Sequence, residues 1–111
     1  MNWTEFNQPE QLNLIVEQSF IRDQVIFKHS TRCSISVLAK NRLERSTAPE
    51  DISFHYLDLL QNRAVSNLVA DHFDVTHASP QILMIRNGSC IYDESHQAIT
   101  MDDINEQHEA R

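Results

Sequence analysis

Three short apolar runs, QVIFKH (24–29), ISFHYLDLL (52–60) and QILMIR (81–86), are separated by stretches of helical period. This alternation is the strongest restriction on how the chain can fold. Runs rich in β-branched and aromatic residues, bounded by turn residues, read as strands. Between the first two lies a helix from Ser34 to about Leu43, with Ile35, Leu38, Ala39 and Arg42 on one face, then the loop RSTAPED (45–51). Between the second and third lies NRAVSNLVADHF (62–73), with Val65, Leu68, Val69, His72 and Phe73 at helical spacing and Asp74 as a left-handed C-cap. A helical connection joins the first two strands in parallel, and the third strand and its hairpin partner add two antiparallel ones. Asn87-Gly88 is a hairpin signal that returns SCIYDE (89–94) antiparallel to the third strand.

The flanks complete the pattern. Pro9 suits the first turn of a helix over 9–20, whose inner face carries Leu12, Ile15, Val16 and Phe20, with Trp3 and Phe6 covering the core edge. Thr100-x-x-Asp103 resembles a capping box that opens a short C-terminal helix. The expected fold class is therefore α/β, in the order α-β-α-β-α-β-β-α, with a central four-stranded mixed sheet flanked by helices.

At 111 residues the chain reads as one domain, 1–111. An apolar fraction of 41% and a charged fraction of 23% exclude disorder. No run of about 18 apolar residues could span a bilayer, and MNWTEFNQPE has neither the basic nor the apolar part of a secretion signal. No membrane partner is expected. Nine basic against sixteen acidic residues, a net charge of −7, argue against nucleic acid, which requires clustered Lys and Arg. Gly88 is the single glycine, which excludes a P-loop and a dinucleotide fingerprint. The six histidines (29, 55, 72, 77, 96 and 108) show no zinc-site spacing, so no metal is expected. Two cysteines, Cys33 and Cys90, are not a disulfide framework and point to the reducing cytoplasm.

Cys33 carries the chemistry. It stands where a strand ends and a helix begins, with Ser30 and Thr31 available to cap that helix, Arg32 adjacent, and Lys28 and His29 at the strand's end. Thiolate is the nucleophilic form, and the free N–H groups of a helix N-terminus stabilise it. The alternative is a buried, inert thiol; a position at a helix start beside arginine favours the nucleophile. Ser36 stands three residues on, where a dithiol motif has its second cysteine. Oxidised Cys33 therefore cannot close a C-x-x-C disulfide and ends as a mixed disulfide with an external thiol. Ser36 either hydrogen-bonds the Cys33 thiolate or is an ordinary solvated or back-bonded helical serine.

The stretches FKHSTRCSIS (27–36), NRAVSNLVADHFDVTHASPQILMIRNG (62–88) and SHQAIT (95–100), with a looser fit over NWTEFNQPEQLNLIVEQS (2–19), resemble the monothiol, YtxJ-like bacilliredoxins of the bacillithiol redox system, within the thioredoxin-like superfamily. Ser34 departs from that family's usual proline after the active cysteine, and Asp74 from its usual glycine. The resemblance implies a catalytic Cys33, supported by Thr31, Arg32 and Ser36. It implies a cis Pro80 facing that cysteine, with Ser79 offering its backbone to an extended substrate. It also implies a small thiol, bacillithiol, as co-substrate, with no tightly bound cofactor. Lys28, Arg32 or a helix N-terminus would suit the malate carboxylates of that thiol.

The loop before the last helix offers His96, which is either a contact for the small thiol's charged groups or a surface histidine. Expected partners are the small thiol and S-thiolated client proteins, with the chain acting as a monomer. Iron–sulfur binding by monothiol glutaredoxins goes with Cys-Gly-Phe-Ser, which Cys33-Ser34-Ile35-Ser36 is not. In this topology Cys90 lies just past the hairpin, about 20 Å from the active edge at strand rise. A Cys33–Cys90 disulfide is then out of reach, and Cys90 reads as a core or edge filler. A second reading of the whole chain is a thioredoxin-fold interaction or redox-sensor module without turnover.

Overall fold

Asp23–His29 (β2) is buried along its whole length, as a strand is when helices cover both faces of its sheet. The computed structural model describes residues 1–110. On one side β2 pairs in parallel with Ile52–Asp58 (β3), Lys28 opposite Leu57 and His29 opposite Asp58. On the other it pairs antiparallel with Gln81–Arg86 (β4), Lys28 opposite Gln81. Asn87 (φ 53°) and Gly88 (φ 79°) both take the left-handed conformation of a tight hairpin. The turn leads into Ser89–Ser95 (β5), antiparallel to β4.

The sheet has five strands, not the expected four. Trp3–Glu5 (β1) adds a parallel edge beside β3, Trp3 opposite Phe54, giving the order β1-β3-β2-β4-β5. Three residues are too few to show a period of two. The strand is held instead by Trp3, whose ring stacks on Phe27 at 5.5 Å and whose Nε1 donates to Glu44 at 2.8 Å.

Among the described residues four α-helices cover the two faces: Gln11–Gln18 (α1), Ser34–Arg45 (α2), Arg63–Phe73 (α3) and Met101–Glu109 (α4). The period of two in the strands sorts the layers. Val25, Phe27, Ile82 and Met84 face Ala39 and Leu43 of α2 and Met101 and Ile104 of α4. Ile26, Leu83 and Ile85 face Leu12 and Ile15 of α1 and Val65 and Val69 of α3. Asp74 closes α3 in the left-handed conformation (φ 55°, ψ 47°), and Thr100 Oγ1 caps α4 by accepting from the Asp103 N–H at 3.2 Å.

Three helical faces differ from the sequence reading. α1 is shorter, and Phe20 lies in the turn after it, 63% exposed over Gly88. α2 buries Ser36, Ala39 and Leu43 and leaves Ile35 and Leu38 exposed. α3 buries Val65, Ser66 and Val69, with Leu68 and His72 outward. In α2 a serine takes a core-facing position, so a pattern built on apolar residues alone misplaces the inner face by about one residue, roughly 100°. In α3 Val65 and Val69 are buried as expected, and Ser66 joins them in place of Leu68 and His72.

At the sheet end where β2 begins, Arg86 clamps Asp23 with two hydrogen bonds of 2.8 and 2.6 Å. His108 of α4 reaches Asp23 through Nδ1 (2.7 Å) and Asp51 through Nε2 (2.9 Å). Among the described residues no helix is long and apolar enough to cross a membrane. None of the His, Cys, Asp or Glu groups described there forms a cluster of three or more that could hold a metal ion.

Candidate active site

Cys33 is the N-cap residue of α2, in extended backbone (φ −104°, ψ 119°). A side chain at the N-cap lies over the free N–H groups of the first helical turn. Among the described residues no N–H of the first helical turn donates to the Cys33 side chain; what the position offers the sulfur is the positive end of the helix dipole. Ser30 and Thr31 do not cap the helix as expected. Their turn instead delivers Cys33 to the N-cap, its N–H donating to the Ser30 carbonyl at 3.2 Å, while Thr31 and Arg32 are exposed. Cys33 is a half-buried free thiol.

Ser36 is fully buried one turn further on. Its hydroxyl accepts from the Ser30 N–H at 3.0 Å and is hydrogen-bonded to His29 Nδ1 at 2.7 Å. It is neither solvated nor back-bonded, and among the described residues it makes no hydrogen bond to Cys33. The serine in the place of a resolving thiol thus stitches the turn before Cys33 to the end of β2. His29 is held in the core between Phe27 and Tyr56 (ring centroids 5.6 and 5.5 Å), and burial, aided by the charge of Lys40, lowers its pKa.

Lys28 is not available to a ligand. Strand alternation turns it away from His29 to the α3 face, where it has no exposed surface. Its Nζ donates to the Ser66 carbonyl at 3.2 Å and lies 3.3 Å from His77 Nδ1. Burial pushes its pKa down to about 8. The expectation that Lys28 meets the small thiol's carboxylates is therefore corrected; Arg32, exposed next to Cys33, remains.

Ser79–Pro80 is a cis peptide. The register of Lys28 with Gln81 sets Pro80 level with His29, the last residue of β2, at the edge from which the chain departs toward Cys33. Gln81 organises the approach: Nε2 donates to the Thr76 carbonyl at 3.0 Å and Oε1 accepts from the Ala78 N–H at 3.4 Å. The Ser79 hydroxyl is buried without a partner. The antiparallel return of β5 brings His96 to the same edge, where it is exposed and its N–H donates to the Pro80 carbonyl at 3.0 Å. Arg42 holds the following turn through the Ile99 carbonyl (3.1 and 2.8 Å). Sequence reasoning placed Arg42 on a helix face without a role and passed over Gln81; only the register exposes what either one touches.

Cys90 lies at the other end of β4, opposite Ile85. Four residues of strand rise, about 13 Å, separate that position from Gln81. Its sulfur sits 3.3 Å from the Tyr92 carbonyl, and burial pushes its pKa up. Both observations mark an inert thiol.

One half-buried thiol at a helix N-cap, a cis proline at the same sheet edge and no second cysteine within reach describe a monothiol redox site. A family model described as monothiol bacilliredoxin BrxC matches residues 4–104. The chain belongs to that family. Solved structures agree on the fold. A protein with a thioredoxin fold superposes with a TM-score of 0.85 at 24% identity, covering 96% of this chain and 94% of its own. The thioredoxin Mala s 13 of Malassezia sympodialis gives 0.75 at 16% identity, covering 98% and 92%. Mitochondrial thioredoxin 3 of Saccharomyces cerevisiae gives 0.67 at 20%, covering 95% and 92%. Membership in the bacilliredoxin family assigns the chain to thiol redox proteins, on a thioredoxin-like α/β fold.

Proposed function

We propose that this protein is a monothiol thiol–disulfide oxidoreductase that takes a low-molecular-weight thiol off client proteins through Cys33. The observation that carries the reading is Cys33 at the uncapped N-terminus of α2 with a buried serine, not a thiol, one turn away. The Cys33 thiolate attacks the small-thiol sulfur of a client mixed disulfide. A Cys33–small-thiol disulfide forms, the client sulfur leaves as thiolate and takes a proton from solvent. A second small-thiol thiolate then attacks the sulfur of the bound small thiol, releasing the symmetrical small disulfide and the Cys33 thiolate. The client sulfur is reduced and the second small thiol is oxidised, while the first stays at the disulfide level throughout, so electrons balance. Family membership supports bacillithiol as the small thiol; it is a co-substrate, not a resident cofactor. In this reading Ser79 and Pro80 receive the client strand beside His96, a role supported by the cis Ser79–Pro80 peptide and by the His96 N–H on the Pro80 carbonyl.

The test is turnover of a model peptide carrying bacillithiol in disulfide linkage. Wild type should release free peptide and lose that activity in Cys33→Ser. Adduct formation on Cys33 without peptide turnover over repeated cycles would instead identify a redox sensor.

A further inference from the structure

β2 and β3 are neighbouring parallel strands whose connections leave to opposite faces, β2 into α2 and β3 into α3. Ligands of open α/β sheets bind in the crevice outside the carboxyl ends of such strands, because the two loops diverge there and leave a gap. In this protein the gap is a cleft of about 300 Å³ lined by Thr31 and Arg32 from one loop and Asp58, Leu60, Gln61 and Arg63 from the other.

Both walls are preformed. The first is closed by the Cys33 N–H to Ser30 carbonyl bond. The second is tied to β2 by the Leu59 N–H donating to the His29 carbonyl (3.0 Å). It is shaped by Asp58, whose Oδ1 accepts from the Leu60 N–H at 3.1 Å and whose carbonyl accepts from Asn62. The guanidinium groups of Arg32 and Arg63 enter no ion pair and no hydrogen bond among the described residues. Two unpaired guanidiniums in one preformed cleft are a clamp for carboxylates, since each offers a planar pair of donors. The single carboxylate in the wall leaves the lining with a net positive charge, in a protein whose total is −7.

We infer that this cleft, through Arg32 and Arg63, is the subsite that selects a small thiol bearing a dicarboxylate arm. The inference rests on the small-thiol exchange proposed above and assigns Arg63 the place that buried Lys28 cannot fill. Thr31 and Arg32 of the cleft wall immediately precede Cys33 in the chain, so the cleft adjoins the segment that carries the reactive thiol.

Two measurements test it. In the first, one model peptide is capped by disulfide either with bacillithiol, which ends in malate, or with uncharged mercaptoethanol. Arg63→Gln should raise KM about tenfold for the first substrate, the loss expected for one charge-assisted contact. It should leave kcat and the second substrate unchanged. Arg63→Lys should restore part of the loss, and added salt should shrink the wild-type preference. An equal loss on both substrates, or none on either, overturns the subsite.

The second measurement is independent of turnover: calorimetric titration of Cys33→Ser with S-methyl bacillithiol, with and without Arg63→Gln. A weakening of about tenfold in the double variant supports the subsite even if wild type turns over neither peptide, a result that would sink the exchange reaction alone. An unchanged Kd overturns the subsite whatever the turnover.

Discussion

Lys28 is an ammonium with no surface exposure and no carboxylate against it among the described residues. Its neighbours are a carbonyl of α3 and the ring of His77, three residues before the cis proline. A pKa of about 8 in place of about 10.4 means that carrying the charge in the folded state costs on the order of 3 kcal/mol. Between those two values the unfolded chain binds the proton more tightly, so the contribution of Lys28 to stability rises with pH from about 8 to about 10.4. Below about 8 both states are charged and the penalty is constant. Cys90 works against it, since its raised pKa makes stability fall as pH rises past the ordinary thiol range. The comparison is therefore wild type minus Lys28→Met. That difference in urea-derived stability should narrow by up to about 3 kcal/mol on going from pH 7 to pH 10. A difference independent of pH would mean that Lys28 does not titrate in this window. The orientation of Lys28 was legible: it shares the parity of Ile26, not that of Phe27. Its partners were not, because Ser66 and His77 meet it only through tertiary packing.

α4 is fastened at both ends, by Thr100 at its start and by the Asp23 cluster at its close. Burial pushes the Asp23 carboxyl pKa up, but hydrogen bonds from Arg86 and His108 outweigh it and hold the group below its usual value. The stabilisation is then fully present above about pH 4 and is lost as pH falls below it. Arg86 also donates to the Ala110 and His108 carbonyls at 2.8 and 2.9 Å, so one side chain ties β4, β2 and the end of α4. Arg86→Ala leaves Asp23 buried with only His108, and should destabilise the fold by about 3 kcal/mol in urea unfolding at pH 7. Hydrogen exchange should quicken first in the last turn of α4, while the first turns of α2 keep their protection. A cost below about 1 kcal/mol would class the cluster with ordinary surface pairs.

Nothing local to the sequence announces this cluster, because Asp23, Asp51, Arg86 and His108 are each unremarkable where they stand and converge only once the sheet is registered. The α3 C-cap at Asp74 and the α4 cap at Thr100 were legible because a cap is decided within one turn of chain. The inner face of α2 was not, since Ser36 occupies a core position through its bond to His29 of β2; in α3 Val65 and Val69 were legible and the burial of Ser66 was not.

Across the whole molecule the two ends of the sheet are divided between redox chemistry and fastening. The carboxyl ends of β2 and β3, the start of β4 and the close of β5 gather Cys33, Pro80, His96 and the Arg32–Arg63 cleft. The other end holds the Asp23 cluster, the Asn87-Gly88 turn and Cys90. The parallel pair β2 and β3 and the hairpin of β4 with β5 were legible from a helical crossover and a tight turn, whereas the place of β4 beside β2 is set by the register of the folded sheet. β1 was not, because its strand character comes from the packing of Trp3.

The separation of the thiols has a direct chemical consequence. Excess small-thiol disulfide can be attacked by Cys33, and the resulting adduct has no internal thiol to displace it: Ser36 stands one turn away, and Cys90 is about 13 Å or more along β4, beyond the roughly 7 Å between Cα atoms that a disulfide allows. Burial also keeps Cys90 in the unreactive thiol form. Intact mass analysis after such a challenge should show one adduct per chain, mapped to Cys33, reversed by excess thiol and absent from Cys33→Ser. Cys90→Ala should form and release the adduct as wild type does, apart from a packing cost of about 1–2 kcal/mol in stability. A loss of two hydrogens with no adduct mass, traced to a Cys33–Cys90 link within one chain, would contradict both the monothiol mechanism and the strand register that places these cysteines at opposite ends of the sheet.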